Sequence, residues 1–228
     1  MMKSKILFVT GTDTAVGKTM VSLLVMRALA GHDAVYLKPV QTGCMDPNSD
    51  SDPAFLHRHL PHGLPHGMTP ADCIHLCRIQ PKAPLFAGES ADRQALISFV
   101  AAHAALHQTV VVEGAGGILV PITRQWAMLD LARDIEAQIL VVARAGLGTI
   151  NHTLLTLGAI KARSCPCLGV IFVDPTDAVP ELDRAENAQA ITLASDIPVW
   201  GVIGRQDPGN PSAAILDMLC MALNPFLN

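Results

Sequence analysis

A ten-residue segment near the amino terminus has the residue types and spacing of a phosphate-binding loop. It reads Thr10-Gly11-Thr12-Asp13-Thr14-Ala15-Val16-Gly17-Lys18-Thr19 and lies between a short apolar run and a helical pattern. In that context, N–H groups of the loop and of the helix start converge on an anion. We expect Gly17 to let the backbone approach nucleotide phosphates, Lys18 to reach the outer phosphates, and the Thr19 hydroxyl to bind Mg²⁺.

The loop departs from the usual pattern in two places. Its first glycine would fall at position 12, which is Thr12, whereas Gly11 lies one residue earlier. The partition and septum-site ATPases carry a second, signature lysine at position 13, and this chain has Asp13 there. A nucleotide-switch protein of that class is therefore the weaker of two interpretations.

An acid and several glycines close a later apolar strand pattern, Val112-Glu113-Gly114-Ala115-Gly116-Gly117. An acid at the carboxyl end of a buried strand beside a phosphate-binding loop can hold Mg²⁺ through oxygen. The glycines let the chain pass close to phosphates or substrate. A strand-end acid with a flexible turn is the alternative. The predicted nucleotide-binding set is Asp13, Thr14, Ala15, Val16, Gly17, Lys18, Thr19, Met20, Glu113, Gly116 and Gly117.

A second lysine closes the second strand pattern, in Lys38-Pro39-Val40-Gln41-Thr42-Gly43. The carboxyl ends of parallel strands face the ligand side of a sheet. There the charge of Lys38 would repel that of Lys18 unless an anion lay between them. The position favours an anionic substrate near Lys38, with a solvated surface lysine as the alternative.

Two further segments precede helical patterns. Asp50 and Asp52 belong to consecutive Ser-Asp pairs, and carboxylates at such positions also cap helices, which explains them when they are taken alone. The segment 145–152, Ala-Gly-Leu-Gly-Thr-Ile-Asn-His, follows the fourth strand pattern. Its open N–H groups could bind a second anion, or it could be an ordinary helix cap.

These residues are positioned by apolar strand patterns that alternate with longer helical ones. The predicted strands are Lys5–Thr10, Ala34–Lys38, Thr109–Glu113, Gln138–Ala143, Leu168–Val173 and Val199–Ile203. The predicted helices are Lys18–Ala30, Asp52–Leu60, Ala91–His107, Leu129–Ala137, Ile150–Ala162, Arg184–Ser195 and Ser212–Leu223. This rhythm predicts an α/β fold with a doubly wound, mostly parallel sheet and helices on both faces, the fold of P-loop NTPases. We expect a single domain over residues 1–228, with loops from about Gln41 to Gly88 over the ligand face.

Composition excludes several classes of partner. The chain has 228 residues, a net charge of −4 and 16% charged residues, so we expect neither nucleic-acid nor membrane binding. We expect a cytoplasmic protein, in which the six cysteines are reduced thiols. His57, His59, His62 and His66 alternate with prolines and glycines, and that spacing does not predict a metal site.

Taken together, four motifs resemble the dethiobiotin synthetase family. They are Gly-Thr-Asp-Thr-Ala-Val-Gly-Lys-Thr from Gly11, Lys-Pro-Val-Gln-Thr-Gly from Lys38, Val-Glu-Gly-Ala-Gly-Gly from Val112 and Gly-Thr-Ile-Asn-His from Gly148. The resemblance spans essentially the whole chain. We expect no glutaminase domain, which would separate the chain from the related cobyric-acid amidotransferases.

The resemblance implies a Mg-ATP-dependent ligase that acts on 7,8-diaminononanoate and CO₂. In the family, a carbamate forms on one amine, ATP phosphorylates it to a carbamic-phosphoric anhydride, and the second amine closes a cyclic urea, giving dethiobiotin, ADP and phosphate in biotin biosynthesis.

The resemblance also implies roles for individual residues. Lys18 would stabilise the transferring phosphoryl group, and Lys38 would hold the carbamate. Thr14 and Thr42 would bind carbamate or diamine. Mg²⁺ would be bound by Thr19, Asp52 and Glu113, with Asp50 as the alternative to Asp52.

The resemblance also implies a homodimer with active sites at the interface. Gly148, Thr149, Ile150 and Asn151 of one subunit would receive the substrate carboxylate bound to the other. Two positions depart from the family. Ala15 replaces a frequent glutamate, and Val173 stands where well-known members carry an adenine-reading asparagine. A non-catalytic relative is a third interpretation, which the intact Lys18, Thr19, Lys38 and Glu113 disfavour.

Overall fold

Six parallel strands form the central sheet of the computed structural model, which describes residues 4–228. In chain order, the strands of this sheet are β1 (Lys5–Gly11), β2 (Ala34–Leu37), β5 (Thr109–Gly117), β8 (Gln138–Arg144), β9 (Cys167–Val173) and β10 (Val199–Ile203). Their spatial order is β10-β9-β8-β1-β5-β2. β1 therefore lies at the point where the strand order reverses, and the loop after it opens into the crevice where such sheets bind ligands.

Seven α-helices cover the two faces of the sheet in the described part of the chain. They are α1 (Lys18–Ala28), α2 (Asp52–His59), α3 (Arg93–Ala104), α4 (Met128–Asp134), α5 (Thr149–Ala162), α6 (Glu181–Ser195) and α7 (Ala213–Leu227). On one face, Leu23 and Leu219 from α1 and α7 are fully buried; on the other, Leu96 and Ile191 from α3 and α6 are fully buried. Because both faces are covered, the central strands are mostly apolar.

The predicted fold class is confirmed, and all six predicted strands form the central sheet. The largest strand error is at β5, which continues through the glycines to Gly117 rather than ending at Glu113. The helix predicted over Ala91–His107 is shorter, because the Asp92 side chain accepts hydrogen bonds from the N–H groups of Gln94 and Ala95 and so starts α3 at Arg93. Residues 1–3 of the predicted domain lie outside the described residues.

The segment predicted as loops contains short elements that the sequence patterns did not indicate. β3 (Val40–Thr42) pairs in parallel with β4 (Leu76–Arg78), and three 3₁₀ turns follow α2, at Pro65–Gly67, Pro70–Cys73 and Pro84–Phe86. Further along, β6 (Pro121–Thr123) pairs antiparallel with β7 (Trp126–Ala127). These pieces are too short for hydrophobic periodicity to predict. Among residues 4–228, no helix combines the length and apolar character needed to cross a bilayer.

Candidate active site

The phosphate-binding loop joins β1 to α1 in a conformation that Gly17 makes possible. Gly17 has φ 101° and forms the N-cap of α1, in the left-handed region that favours glycine. A Cβ at this position would lie 2.9 Å from Cγ1 of Val173, so no side chain fits. Lys18 is 7% exposed, and its Nζ donates to the Asp13 carbonyl 3.3 Å away. The lysine therefore lies across the loop, with its charge at the place where outer phosphates would bind.

Three oxygen-bearing side chains from three elements converge beside the loop. Thr19 Oγ1 of α1 lies 3.1 Å from Asp52 Oδ1 of α2 and 3.0 Å from Glu113 Oε1 of β5. A hydroxyl and two carboxylates are the hard oxygen donors that Mg²⁺ prefers in nucleotide sites. The residues present therefore fit the predicted ion.

Lys38 is buried against the same carboxylates. Its Nζ lies 2.7 Å from Asp52 Oδ2 and 2.8 Å from Glu113 Oε1, and it donates to the Gly114 carbonyl at 3.0 Å. Burial would lower the pKa of Lys38, but the charges of Glu113 and Asp52 outweigh it and raise that pKa. The alternative interpretation of Lys38 as a solvated surface lysine is wrong, because Lys38 is only 4% exposed.

The two lysines influence one another through the acids between them. Burial, and then the charge of Lys38, lower the pKa of Lys18, while Glu113, Asp52 and Asp13 oppose that shift. Burial tends to raise the pKa of Asp52, but Lys38 and then Thr19 lower it. The anions expected between the cations are therefore supplied in part by the protein itself.

Of the two Ser-Asp pairs, only the second reaches this cluster. Ser51 is the N-cap of α2 and accepts from the Ala54 N–H at 3.0 Å, which leaves the Asp52 carboxylate free to face Thr19 and Lys38. Asp50 instead accepts from the N–H groups of Met45 and Asp46 and closes its own loop. The geometry favours Asp52 over Asp50 as the magnesium ligand.

Three contacts of the cluster were not predicted. The Tyr36 hydroxyl donates to Glu113 Oε2 at 2.9 Å, and Gln41 Oε1 accepts from the Asp52 N–H at 3.1 Å. Arg144 Nη2, at the end of β8, lies 2.6 Å from Asp13 Oδ2 of the phosphate loop. The alternation of side chains along a strand was a usable signal for Tyr36, which lies in β2 two positions before Lys38.

The remaining predicted residues line two openings at the loop. Asp13, Thr14 and Gly117 line a cavity of about 410 Å³ that also contains His152. Gly116 lies beside Thr14: a Cβ on Gly116 would be 3.6 Å from Thr14 Oγ1. Ala15, Val16, Gly17 and Met20 line a second cavity, of about 460 Å³, with Arg144, Val173, Pro175, Gly204, Arg205 and Gln206. Thr42 lies in β3, and its carbonyl accepts from the Gln41 side chain.

The residues predicted to serve a partner subunit lie at the start of α5. Gly148 is its N-cap, with φ 88°, and Thr149 is buried. Asn151 is exposed, and Ile150 is half-buried. They do not reach the cluster of Lys18 and Lys38 in their own subunit by any described hydrogen bond or ion pair.

Comparison with known structures supports the fold. The cell division ATPase MinD of Pyrococcus furiosus superimposes with a TM-score of 0.59 over 98% of this chain and 99% of that chain, at 15% identity. A ParA-family ATPase of Chlorobium tepidum gives a TM-score of 0.55 over 97% of this chain and 92% of that chain, at 11% identity. At these identities the likeness concerns the fold alone.

Sequence comparison is more specific. An AAA-domain family model matches residues 5–212. The chain is 41% identical to the ATP-dependent dethiobiotin synthetase BioD of Anaeromyxobacter sp. strain K, over 82% of this chain and 88% of that protein. It is 32% identical to the BioD of Bacillus subtilis subsp. natto, over 86% of this chain and 85% of that protein. With the motifs and the geometry described above, these matches show that the chain belongs to the dethiobiotin synthetase family.

Proposed function

We propose that the chain is a cytoplasmic, Mg-ATP-dependent ligase that closes 7,8-diaminononanoate and CO₂ to dethiobiotin, with ADP and phosphate as the other products. The observation that carries the proposal is that the buried Lys38 pairs with Asp52 and Glu113, the acids that Thr19 also contacts directly after the phosphate-loop Lys18. One lysine belongs to the phosphate loop, and the other is a second buried cation that a simple nucleotide-binding site does not require. Such an arrangement suits an anionic substrate beside the terminal phosphate.

In the proposed reaction, CO₂ first adds to one amine, and loss of a proton leaves a carbamate anion. Lys38 and Thr42 hold this anion, and Thr14 orients the carbamate or diamine. A carbamate oxygen attacks the terminal phosphorus of ATP, the bond to the bridging oxygen breaks, and ADP leaves. The second amine then attacks the carbamate carbon, phosphate leaves, and a cyclic urea forms after proton loss. The site contributes mainly position and charge.

Each residue contributes a separate part of this positioning. Lys18 stabilises charge on the phosphoryl group as it transfers. Thr19, Asp52 and Glu113 would hold Mg²⁺, which would supply positive charge beside the phosphate oxygens. Tyr36 fixes Glu113, and Gln41 fixes the start of α2 that carries Asp52. Lys38 lies against both carboxylates, and its charge lowers the pKa of Asp52 against the opposing effect of burial.

A product assay tests the function. Purified protein is incubated with 7,8-diaminononanoate, ¹³C-bicarbonate and Mg-ATP, and mass spectrometry follows the products. We expect one labelled carbonyl carbon per cyclic urea and one ADP per product. ATP hydrolysis without a labelled urea would contradict the proposal and favour a nucleotide-switch protein.

We also propose that the active unit is a homodimer in which the α5 start serves the partner's site. Three exposed apolar side chains lie near this helix start: Leu119 and Leu155 line the adjacent opening, and Leu147 directly precedes the N-cap Gly148. An apolar surface of this kind beside a site is typical of a protein interface. The exposed Asn151 and the N–H groups of the α5 start would then face the substrate carboxylate of the other subunit.

Mixing two inactive variants is expected to restore activity. In a mixed dimer of Lys18→Ala and Asn151→Ala, one site contains both defects and the other contains neither. Random exchange makes half of the dimers mixed, so we expect about a quarter of wild-type turnover if each dimer has two independent sites. Exchange is verified with differently tagged subunits. No recovery after demonstrated exchange would mean that Asn151 acts within its own subunit.

Nucleotide selectivity is expected to be narrow. The apolar side chain of Val173 lines the cavity beside the phosphate loop, and it cannot exchange hydrogen bonds with a base. The Gln206 amide is already used, since Oε1 accepts from Ser212 N–H and Nε2 donates to the Arg205 carbonyl. One neutral hydrogen bond is worth about 1 kcal/mol, or roughly fivefold. We therefore expect similar kcat/KM values for ATP, GTP and CTP.

The Val173→Asn variant provides the comparison. If position 173 faces the base, this variant should raise the preference for ATP over GTP by roughly fivefold. A wild-type preference for ATP above about 100-fold, near 2.7 kcal/mol, would show that another group reads the adenine.

A further inference from the structure

Two histidines and an aspartate meet far from the proposed active site. Asp33 Oδ1 lies 2.9 Å from His107 Nδ1 and 3.3 Å from His66 Nε2. The three ligand atoms all lie within 4.8 Å of one another. His66 and His107 also have their ring centroids 4.3 Å apart. The group combines two nitrogen donors and one carboxylate, which come from three separate segments of the chain.

Backbone contacts hold two of these residues at the amino edge of the sheet. Asp33 directly precedes β2, and His107 lies two residues before β5; the two strands pair from Ala34 and Thr109 onward. The Thr109 N–H donates to the Asp33 carbonyl at 3.0 Å, and the Gln108 N–H donates to Asp33 Oδ2 at 3.0 Å. Asp33 Oδ1 is therefore kept in a fixed position facing the histidines. The phosphate loop lies at the opposite, carboxyl edge of the same sheet.

The third residue reaches this place through an unusual backbone conformation. His66 has φ 57° and ψ 22°, and it is followed by Gly67 with φ 70°. The left-handed region is uncommon for residues other than glycine, although histidine, asparagine and aspartate adopt it more often than the rest. Here it lies in the turn whose imidazole approaches Asp33. We refer to the predicted loops over residues 41–88 as the irregular segment. Of its histidines at positions 57, 59, 62 and 66, only His66 joins this cluster.

We propose that Asp33, His66 and His107 bind a divalent transition-metal ion, with Zn²⁺ as the best match. Zinc binds histidine nitrogen and carboxylate oxygen at about 2.0–2.2 Å, which places neighbouring tetrahedral ligands roughly 3.3 Å apart. The two carboxylate–histidine separations, 2.9 and 3.3 Å, are close to that spacing. Two imidazoles disfavour Mg²⁺ and Ca²⁺, which select oxygen. Three protein ligands leave a fourth position for water.

The ion would fasten the irregular segment to the sheet. His66 is the ligand from that segment, whereas Asp33 and His107 belong to turns at the sheet edge. The next 3₁₀ turn, Pro70–Cys73, provides the Cys73 carbonyl that accepts from the Lys38 N–H at 2.8 Å. The metal would thus stabilise the segment that packs against the strand end carrying Lys38, without contacting the reacting groups.

Zinc titration of untagged, chelator-treated protein tests the proposal. Saturating Mg-ADP is present throughout, so that the oxygen cluster of the active site is occupied. Loss of a partner that only supports a metal ligand typically costs 10–100-fold in affinity. We therefore expect one equivalent of Zn²⁺ to bind to the wild type, and His66→Gln and Asp33→Asn to weaken binding by at least about 100-fold. His62→Gln is the matched control, an exposed histidine of the same segment, and it should bind like the wild type.

Two further measurements separate loss of the ion from loss of the fold. Zn²⁺ should raise the Tm of the wild type and of His62→Gln but not that of His66→Gln, whose Tm and turnover without zinc should match those of the wild type. Co²⁺ should give the visible absorption of a tetrahedral nitrogen and oxygen site only when His66 is present. Undetectable wild-type binding, or equal binding to His66→Gln, would overturn the proposal and leave a hydrogen-bonded His-Asp-His cluster.

Discussion

Lys18→Ala is expected to lower kcat/KM by at least about 10²–10³-fold while the protein stays folded. Removing one preorganised group that stabilises transition-state charge typically costs this much. Lys18 lies over the phosphate loop, with its Nζ bonded to the Asp13 carbonyl. In the proposed mechanism its charge acts on the phosphoryl group as that group leaves ADP, so the loss should appear in kcat as well as in kcat/KM.

The control for this prediction is Lys82→Ala, which removes an exposed lysine from the irregular segment. Steady-state kinetics and thermal unfolding are measured on both variants and on the wild type. Because Lys18 is buried among acids, a modest change in Tm is compatible with the prediction. Near-native turnover in folded Lys18→Ala would remove the phosphate loop from the mechanism.

Lys38→Ala is expected to abolish diamine-dependent turnover and to keep most of the affinity for Mg-ADP. The loop amides and Lys18, which hold the nucleotide phosphates in our proposal, remain in this variant. The buried anion-binding cation is lost, so the carbamate would have no charged partner. Calorimetry with Mg-ADP and kinetics at varied diaminononanoate measure the two effects separately. If the variant lost affinity for the nucleotide but kept its affinity for the diamine, Lys38 would bind the nucleotide and not the carbamate.

The same substitution should also cost stability. Lys38 is paired with Glu113 and Asp52 in the interior, and removing one member of a buried pair typically costs about 3–5 kcal/mol. Because the pKa of Lys38 is raised on folding, its contribution to the free energy of unfolding is complete below its ordinary pKa. That contribution is lost as the pH rises through the pKa of Lys38 in the folded protein. Because the pKa of Asp52 is lowered on folding, its contribution to the free energy of unfolding is lost only as the pH falls through the pKa of Asp52 in the folded protein. The pair therefore persists through the neutral range. Mg²⁺ should restore part of the lost stability, which unfolding with and without the ion would reveal.

The sequence predicted the parts of the site that depend on short, continuous motifs. The phosphate loop, Glu113 in β5 and Lys38 after β2 follow from strand patterns and from the rule that ligands bind at the carboxyl ends of the strands. The spatial order of the strands, which brings β1 between β8 and β5, cannot be read from periodicity. The geometry was therefore needed to show that Lys38 lies between Asp52 and Glu113.

Other contacts were missed because they depend on distant segments. Arg144 and Asp13 are separated by 131 positions in the sequence. The paired strands β3 and β4 are likewise separated in the sequence by the whole of α2. The choice between Asp50 and Asp52 depended on which residue starts α2. The His-Asp-His cluster escaped prediction for the same reason, since spacing within one segment says nothing about residues that arrive from turns elsewhere.

The hydrogen bond from Tyr36 to Glu113 gives the protein a built-in optical reporter. The chain contains a single tyrosine, and its hydroxyl is fully buried against the acid placed to bind the metal. The near-ultraviolet absorption of a phenol responds to charge at its hydroxyl. A change in the charge around Glu113 should therefore change the absorption of Tyr36. Difference spectra of the unlabelled protein would then follow the arrival of cation, nucleotide and substrate in real time.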